Sequence, residues 1–210
     1  MGVSKNSKYK LNYPASFFDK YYNIVVPQKP VRPTIPKTQS NYNGLPTNAQ
    51  DIQRQQQQYV AKLSAYNNST NTERTKANNY IQEIYKQITK INKATSDLKF
   101  LITAYKKSLS NLTNAGKSTA SAKIEISNAI SELGVGYVNE NPNTKINKIK
   151  SDLNPQKEKI TSLGTQINQI SSEINARVKV LNSAITVNNG YLQKFNNALN
   201  WLRIKQRQLG

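Results

Sequence analysis

The side chains that most often carry enzyme chemistry are absent or scattered in this sequence. The chain has no cysteine and no histidine, which excludes thiol nucleophiles, disulfides, zinc sites built on these ligands, and imidazole bases. The 11 acidic residues include no two at the helical spacing of three or four positions, so no carboxylate pair is placed to act as an acid–base couple on one helical turn. The sequence predicts a protein that is not an enzyme and that uses no metal or cofactor.

One short segment resembles part of a phosphate-binding loop. Gly116-Lys117-Ser118-Thr119 matches the end of the P-loop pattern, but the first glycine of that pattern would stand where the chain has Asn111. The residues before it follow a helical pattern, whereas the motif requires a preceding strand. We interpret the segment as a connection between helices.

The charge of the chain points to polyanionic surroundings. There are 30 Lys and Arg against 11 Asp and Glu, a formal net charge of +19, and the isoelectric point is near 10.0. Such an excess predicts contact with nucleic acid, acidic lipid or acidic protein surfaces. Arginine is scarce in the helical part and no base-reading module precedes it, so any nucleic-acid binding should be non-specific.

The low hydropathy predicts a narrow apolar core. Hydrophobic residues make up 36% of the chain and the mean hydropathy is −0.70, which suits long helices with one apolar stripe better than a compact layered domain. No apolar run has the length of a membrane span, and the N-terminus lacks the apolar core of a secretory signal. The start at Met1-Gly2 is close to an acylation motif, but Asn6 departs from it. We expect a protein that is not secreted and not membrane-anchored, acting in a virion or in an assembly in the cytoplasm.

A first long helix is predicted from a regular apolar pattern. Between Ala77 and Leu112 the apolar positions alternate in steps of four and three, which is the signature of a coiled-coil seam. The register extends back to Ile52, and Asn48 suits the N-cap, so the helix is predicted over 49–113. Gly116 suits the left-handed position that ends a helix. The seam residues singled out here are Ile81, Ile84, Ile88, Ile91, Leu98, Ile102 and Leu109.

The remainder of the chain predicts a short connection and a second long helix. Residues 114–142 read as a short helix with loops, and residues 143–210 as a long coiled-coil helix with a kink or a new start near Pro155. Two successive steps of four, at Ile170, Ile174 and Val178, predict a local unwinding of the supercoil. The second seam contains Ile160, Leu163, Ile167, Ile170, Ile174 and Leu181.

Residues 1–48 form an arm of different composition, with six of the eight prolines and five of the twelve tyrosines. Four of these prolines recur every third residue, which stacks them on one edge of a polyproline II helix. A segment without a core of its own but with spaced aromatic anchors suits the groove of a partner; a disordered basic tail is the alternative. The predicted partner-binding residues are Phe17, Phe18, Tyr21, Tyr22, Pro27, Pro30, Pro33 and Pro36.

The sequence thus predicts an all-α fold: a long antiparallel coiled-coil hairpin with a short middle helix, preceded by an extended Pro/Tyr-rich arm. Self-association of the helices in a parallel bundle is the structural alternative. We expect a structural component of a large assembly, similar in style to minor capsid or cement proteins, whose arm clamps neighbouring shell or lattice subunits. The functional alternative is a basic scaffold that packages DNA or RNA non-specifically.

Overall fold

The computed structural model describes residues 11–34, 46–133 and 143–210. In these ranges all regular structure is helical: two short 3-10 helices, Ala15–Phe17 and Asp19–Tyr22, followed by two long helices, α1 at Pro46–Glu132 and α2 at Asn143–Gln208. The two long helices pack against each other, which confirms the prediction of an all-α helical hairpin. Pro36 and the loop expected at the end of segment 114–142 lie outside the described residues.

The chain divides into two compact units. The arm unit contains Leu11–Lys93 and Asn188–Gly210, and the central unit contains Ala94–Val187. Each unit therefore includes a stretch of α1 and a stretch of α2, which pack on each other within it.

In the arm unit the two helices run antiparallel. The Arg74 side chain donates to the backbone carbonyl of Leu209 at 2.7 Å, and Gln206 donates to Asn78 at 2.6 Å. Further along α1 the partner comes from earlier in α2, since Arg203 donates to the hydroxyl of Tyr85. The core residues recur every seven positions, as a heptad requires. They are Ala77, Ile84 and Ile91 on α1, Phe195 and Leu202 on α2, and Leu209 directly after the end of α2.

The central unit has the same antiparallel order and a core of smaller side chains. Leu98 and Ile102 of α1 form a cluster with Leu181 and Ala184 of α2. Further along, two glycines lie on the facing sides of the helices. A Cβ atom added to Gly116 would lie 3.5 Å from Ile167, and one added to Gly164 would lie 3.8 Å from Thr119.

The predicted end of the first long helix is wrong. α1 continues through Gly116 and ends at Glu132, so the short helix expected within 114–142 is instead the last part of α1. Among the described glycines only Gly210 has a positive φ, so Gly116 has no helix-ending conformation. A Cβ atom at this position would make only ordinary van der Waals contact with Ile167 of α2, so the packing does not require glycine and α1 carries its cost of ~1 kcal/mol in a helix.

The new start predicted near Pro155 is also absent. α2 begins at Asn143 and continues through Pro155 and Gly190 to Gln208. A proline in a helix removes the hydrogen bond to the carbonyl four residues earlier. The burial of the apolar face of α2 against α1 offsets the free energy lost with this hydrogen bond at Pro155.

The buried face of α1 follows the predicted register. Ile84, Ile91 and Leu98 are fully buried, Ile102 is buried, and Ile81, Ile88 and Leu109 are partly covered.

The buried face of α2 departs from the predicted register within the central unit. Leu163 and Ile170 are 49% and 46% exposed, whereas their neighbours Gly164 and Ser171 are partly covered. Ile167 and Leu181 are buried, and Ile160 and Ile174 are half-buried. Steps of four and three then alternate from Ile160 to Leu181 without the predicted stutter. The predicted register of α2 is based on the large apolar residues, whereas at these two positions the face toward α1 carries the small residues Gly164 and Ser171.

Substitution of Gly116 by alanine tests whether α1 is continuous. In a right-handed helix with ordinary contact to Ile167, alanine should raise the free energy of unfolding by about 0.5–1 kcal/mol. Gly190→Ala is the matched control, because a Cβ there meets nothing within 4 Å. Urea unfolding measures both. If Gly190→Ala stabilises the protein while Gly116→Ala destabilises it, Gly116 ends a helix and the continuous α1 is wrong.

Candidate partner-binding site

Two short 3-10 helices follow Pro14 in the arm. This proline is extended (φ −60°, ψ 154°), and its carbonyl accepts a hydrogen bond from the Phe17 amide at 3.0 Å. The Tyr21 amide donates to the Phe18 carbonyl, also at 3.0 Å. Tight turns bring aromatic residues that are close in sequence onto one side of the segment. The arm therefore presents a compact group of rings.

These rings pack against the helices of the arm unit. Phe195 of α2 lies at the centre, with its ring centroid 4.9 Å from Phe18 and 5.3 Å from Tyr13. Phe17 and Tyr21 lie 6.1 Å from the same ring. Most of these contacts are tilted or edge-on, the arrangement that aromatic quadrupoles favour. We call the cluster of Tyr13, Phe17, Phe18, Tyr21, Tyr80, Tyr191 and Phe195 the aromatic dock.

Polar contacts fix the arm along α1. Glu83 accepts hydrogen bonds from Lys20 at 2.6 Å and from the Tyr21 hydroxyl at 3.0 Å. The Tyr13 hydroxyl donates to Gln87 at 2.8 Å, and the Val25 amide donates to the Glu73 carboxylate at 3.0 Å. Two of the few acidic residues of the chain are thus used to hold the arm.

Burial changes the acidity of two arm tyrosines. Loss of solvent on burial raises the pKa of Tyr21, and its hydrogen bond to the Glu83 carboxylate raises it further. Burial also raises the pKa of Tyr13, with an added repulsion from Tyr191. Both effects disfavour a phenolate in an apolar site. The dock is therefore built for neutral tyrosines.

The chain itself supplies a core for part of the predicted partner-binding arm. Tyr21 is fully buried, Phe18 is 6% exposed and Phe17 is half-buried. Tyr22 is 43% exposed, and its ring lies 5.4 Å from that of Trp201. The expectation that the arm lacks a core of its own is wrong here, because the dock provides one.

The proline-rich part of the arm has one covered edge and one open edge. Pro27, Pro30 and Pro33 are half-buried, which agrees with their spacing of three in an extended chain. The residues between them are exposed, and Val31 reaches 90%. The Pro27–Arg32 segment therefore turns its prolines toward the protein and its other side chains toward solvent.

Sequence reasoning missed the residues that receive the arm. The apolar spacing of the second long helix predicts no arm-binding role for Phe195, and neither Tyr191 nor Glu83 belongs to a pattern that would indicate one. For Glu83 the sequence does contain an indication: acidic residues are rare in this basic chain, so each is expected to form an ion pair with a lysine. For Phe195 no local signal distinguishes a ring that faces another helix from one that faces a docked segment.

The remaining described residues offer little other chemistry. In residues 11–34, 46–133 and 143–210 no three His, Cys, Asp or Glu side chains lie close enough to hold a metal ion. Over the same part of the chain, no helix carries an apolar stretch sufficient to cross a membrane.

Comparison with known proteins adds no relative. No family model, no curated protein and no solved structure matches the chain.

Proposed function

We propose that this protein is a non-enzymatic structural component of a large macromolecular assembly, of the minor capsid or cement type found in virus particles. The hairpin of α1 and α2 acts as a coiled-coil spacer, and the extended arm holds neighbouring subunits. Its partners are then shell or lattice proteins, and its place is the virion or an assembly in the cytoplasm.

The observation that carries this proposal is the division of the arm into a fixed side and a free side. The dock and Glu83 hold the aromatic side on the chain's own helices. The opposite side stays open, with Val25 60% exposed, Val31 90% exposed, and Lys29 and Arg32 also exposed. A segment anchored along one edge loses little further entropy when its other edge binds, so it is pre-organised for a neighbour.

The heptad burial of the helices supports the spacer role. Within each unit the core residues recur at the coiled-coil spacing, for example Ile84 and Ile91 in the arm unit. Such a seam is narrow, and the rest of each helix surface stays polar. In such a protein the buried apolar stripe between the helices provides the stability, and the polar outer surfaces remain accessible to other subunits.

The double substitution Val25→Asp with Val31→Asp tests the clamp. Both side chains are exposed, so the fold should persist. Burying two carboxylates against an apolar neighbour costs free energy, so the variant should bind that neighbour more weakly. We expect the variant to be lost from the assembly when it is purified from the source at high salt. Val60→Asp with Val180→Asp is the control, since these valines are 63% and 56% exposed elsewhere. Normal incorporation of the first variant, or equal loss of both, contradicts the clamp.

A second candidate function is non-specific binding of nucleic acid. The net charge of +19 favours it, because neutralising phosphates releases counterions and gives affinity without sequence readout. Binding of this kind falls steeply with salt. Attachment to a shell through apolar contacts should survive the same salt.

A further inference from the structure

A groove of about 700 Å³ lies between α1 and α2 in the central unit. Two residues without side chains, Gly116 and Gly164, line it and leave space where other residues would project. Ala120 also lines the groove and is itself exposed. The groove therefore exists because small residues line it, and one of them, Gly164, also belongs to the altered buried face of α2.

The lining of this groove combines apolar side chains, those of Leu109, Leu112, Ile160 and Ile167, with two lysines and several hydrogen-bonding side chains. Lys117 and Lys123 project from α1, opposite hydroxyl and amide side chains of α2 such as Thr161 and Asn168. No Asp or Glu is among the residues that line it. An adjoining groove of about 640 Å³ shares Lys123 and Thr161, and adds Lys157 and one acid, Glu158.

We propose that this groove binds the phosphodiester backbone of a single nucleic-acid strand. Lysine is an effective point-charge partner for phosphate, and neutral hydroxyls and amides add donors without repulsion. The α1 wall runs from Leu109 to Lys123, about 21 Å at ~1.5 Å per residue, which is long enough for several phosphates. No aromatic side chain lines the groove, so bases have no stacking platform and binding is independent of sequence. The inference rests on the second candidate function and assigns it a site.

The test compares two double variants of the full chain, each of which lowers the net charge by two. Lys117→Gln with Lys123→Gln removes the groove lysines. Lys107→Gln with Lys179→Gln removes two exposed lysines of the same unit that do not line it. Fluorescence anisotropy with a labelled oligothymidylate gives Kd over a range of salt. For the groove variant we expect affinity to fall roughly tenfold and the log–log salt slope to shrink by about 1.4, from ~0.7 per lost single-strand phosphate contact.

A second pair of variants distinguishes the effect of the groove's shape on binding from the effect of net charge. Ala120→Leu fills part of the groove without adding an aromatic ring and leaves the net charge unchanged, whereas Ala104→Leu places the same side chain on an exposed position of α1 outside it. Ala120→Leu should weaken binding several-fold and Ala104→Leu should not. Equal losses from both lysine pairs, with no effect of Ala120→Leu, would overturn the groove and leave the candidate function standing. Absence of binding by the unaltered chain would overturn both.

Discussion

Replacement of Phe195 by alanine is expected to lower the free energy of unfolding by about 3–5 kcal/mol. The ring is fully buried and four arm rings lie within 6.1 Å of it. The substitution removes apolar burial and leaves a cavity that tethered neighbours fill only in part. Urea unfolding followed by circular dichroism measures the loss, and hydrogen exchange should show the arm released.

Phe100→Ala provides the matched control for this substitution. Phe100 is 75% exposed, and surface changes away from special features usually stay within ~0.5 kcal/mol. The same chemical change should thus have unequal effects at the two sites. Similar effects of the two substitutions would show that Phe195 has no docked arm around it.

Alkaline pH is expected to release the arm. Burial and the Glu83 carboxylate raise the pKa of Tyr21 above its ordinary value of 10.0, and burial raises that of Tyr13. Below pH 10 each phenol is protonated whether the chain is folded or unfolded, so the stabilisation is fully present. Above pH 10 the unfolded chain loses protons that the folded chain retains, so stability falls with rising pH, by up to about 1.4 kcal/mol per pH unit for Tyr21, whose shift is the larger.

Tyr21→Phe isolates this effect from the titration of the many lysines. The variant loses the hydrogen bond to the Glu83 carboxylate and should be less stable at neutral pH by about 1.5–3 kcal/mol, the range for hydrogen bonds to charged groups. Above pH 10, however, its stability should fall less steeply than that of the unaltered chain. Denaturant unfolding at a series of pH values gives both slopes. Parallel slopes would contradict burial of the Tyr21 phenol.

The fold class was predictable because a heptad pattern reports directly on helix burial. The register through Ile84, Ile91 and Leu98 needed only the spacing of apolar residues. The errors came where small residues replace large ones. Helix propensity predicts a helix end at Gly116, and hydrophobicity favours Leu163 over Gly164 as the buried residue. Both signals describe a single helix, whereas burial depends also on the helix that faces it.

The dock was less predictable than the hairpin for a different reason. Phe17, Phe18 and Tyr21 were recognised as anchors from their type and spacing, but the sequence does not indicate which surface receives an anchor. That surface is made by residues such as Phe195 and Glu83, which are far away along the chain. Their roles depend on side chains of α1 and α2 meeting only after the hairpin forms.

Hydrogen exchange of the full chain, read by mass spectrometry at low protein concentration, tests most directly whether the arm is held by its own helices. The account predicts that peptides covering residues 14–25 exchange slowly, with the same opening free energy as peptides covering 188–202, because the two regions form one cooperative cluster. Peptides covering 26–34 should exchange rapidly, since the described structure gives their amides no backbone partner. Exchange of residues 14–25 at the rate of an unfolded peptide, with α2 still protected, would contradict the docked arm.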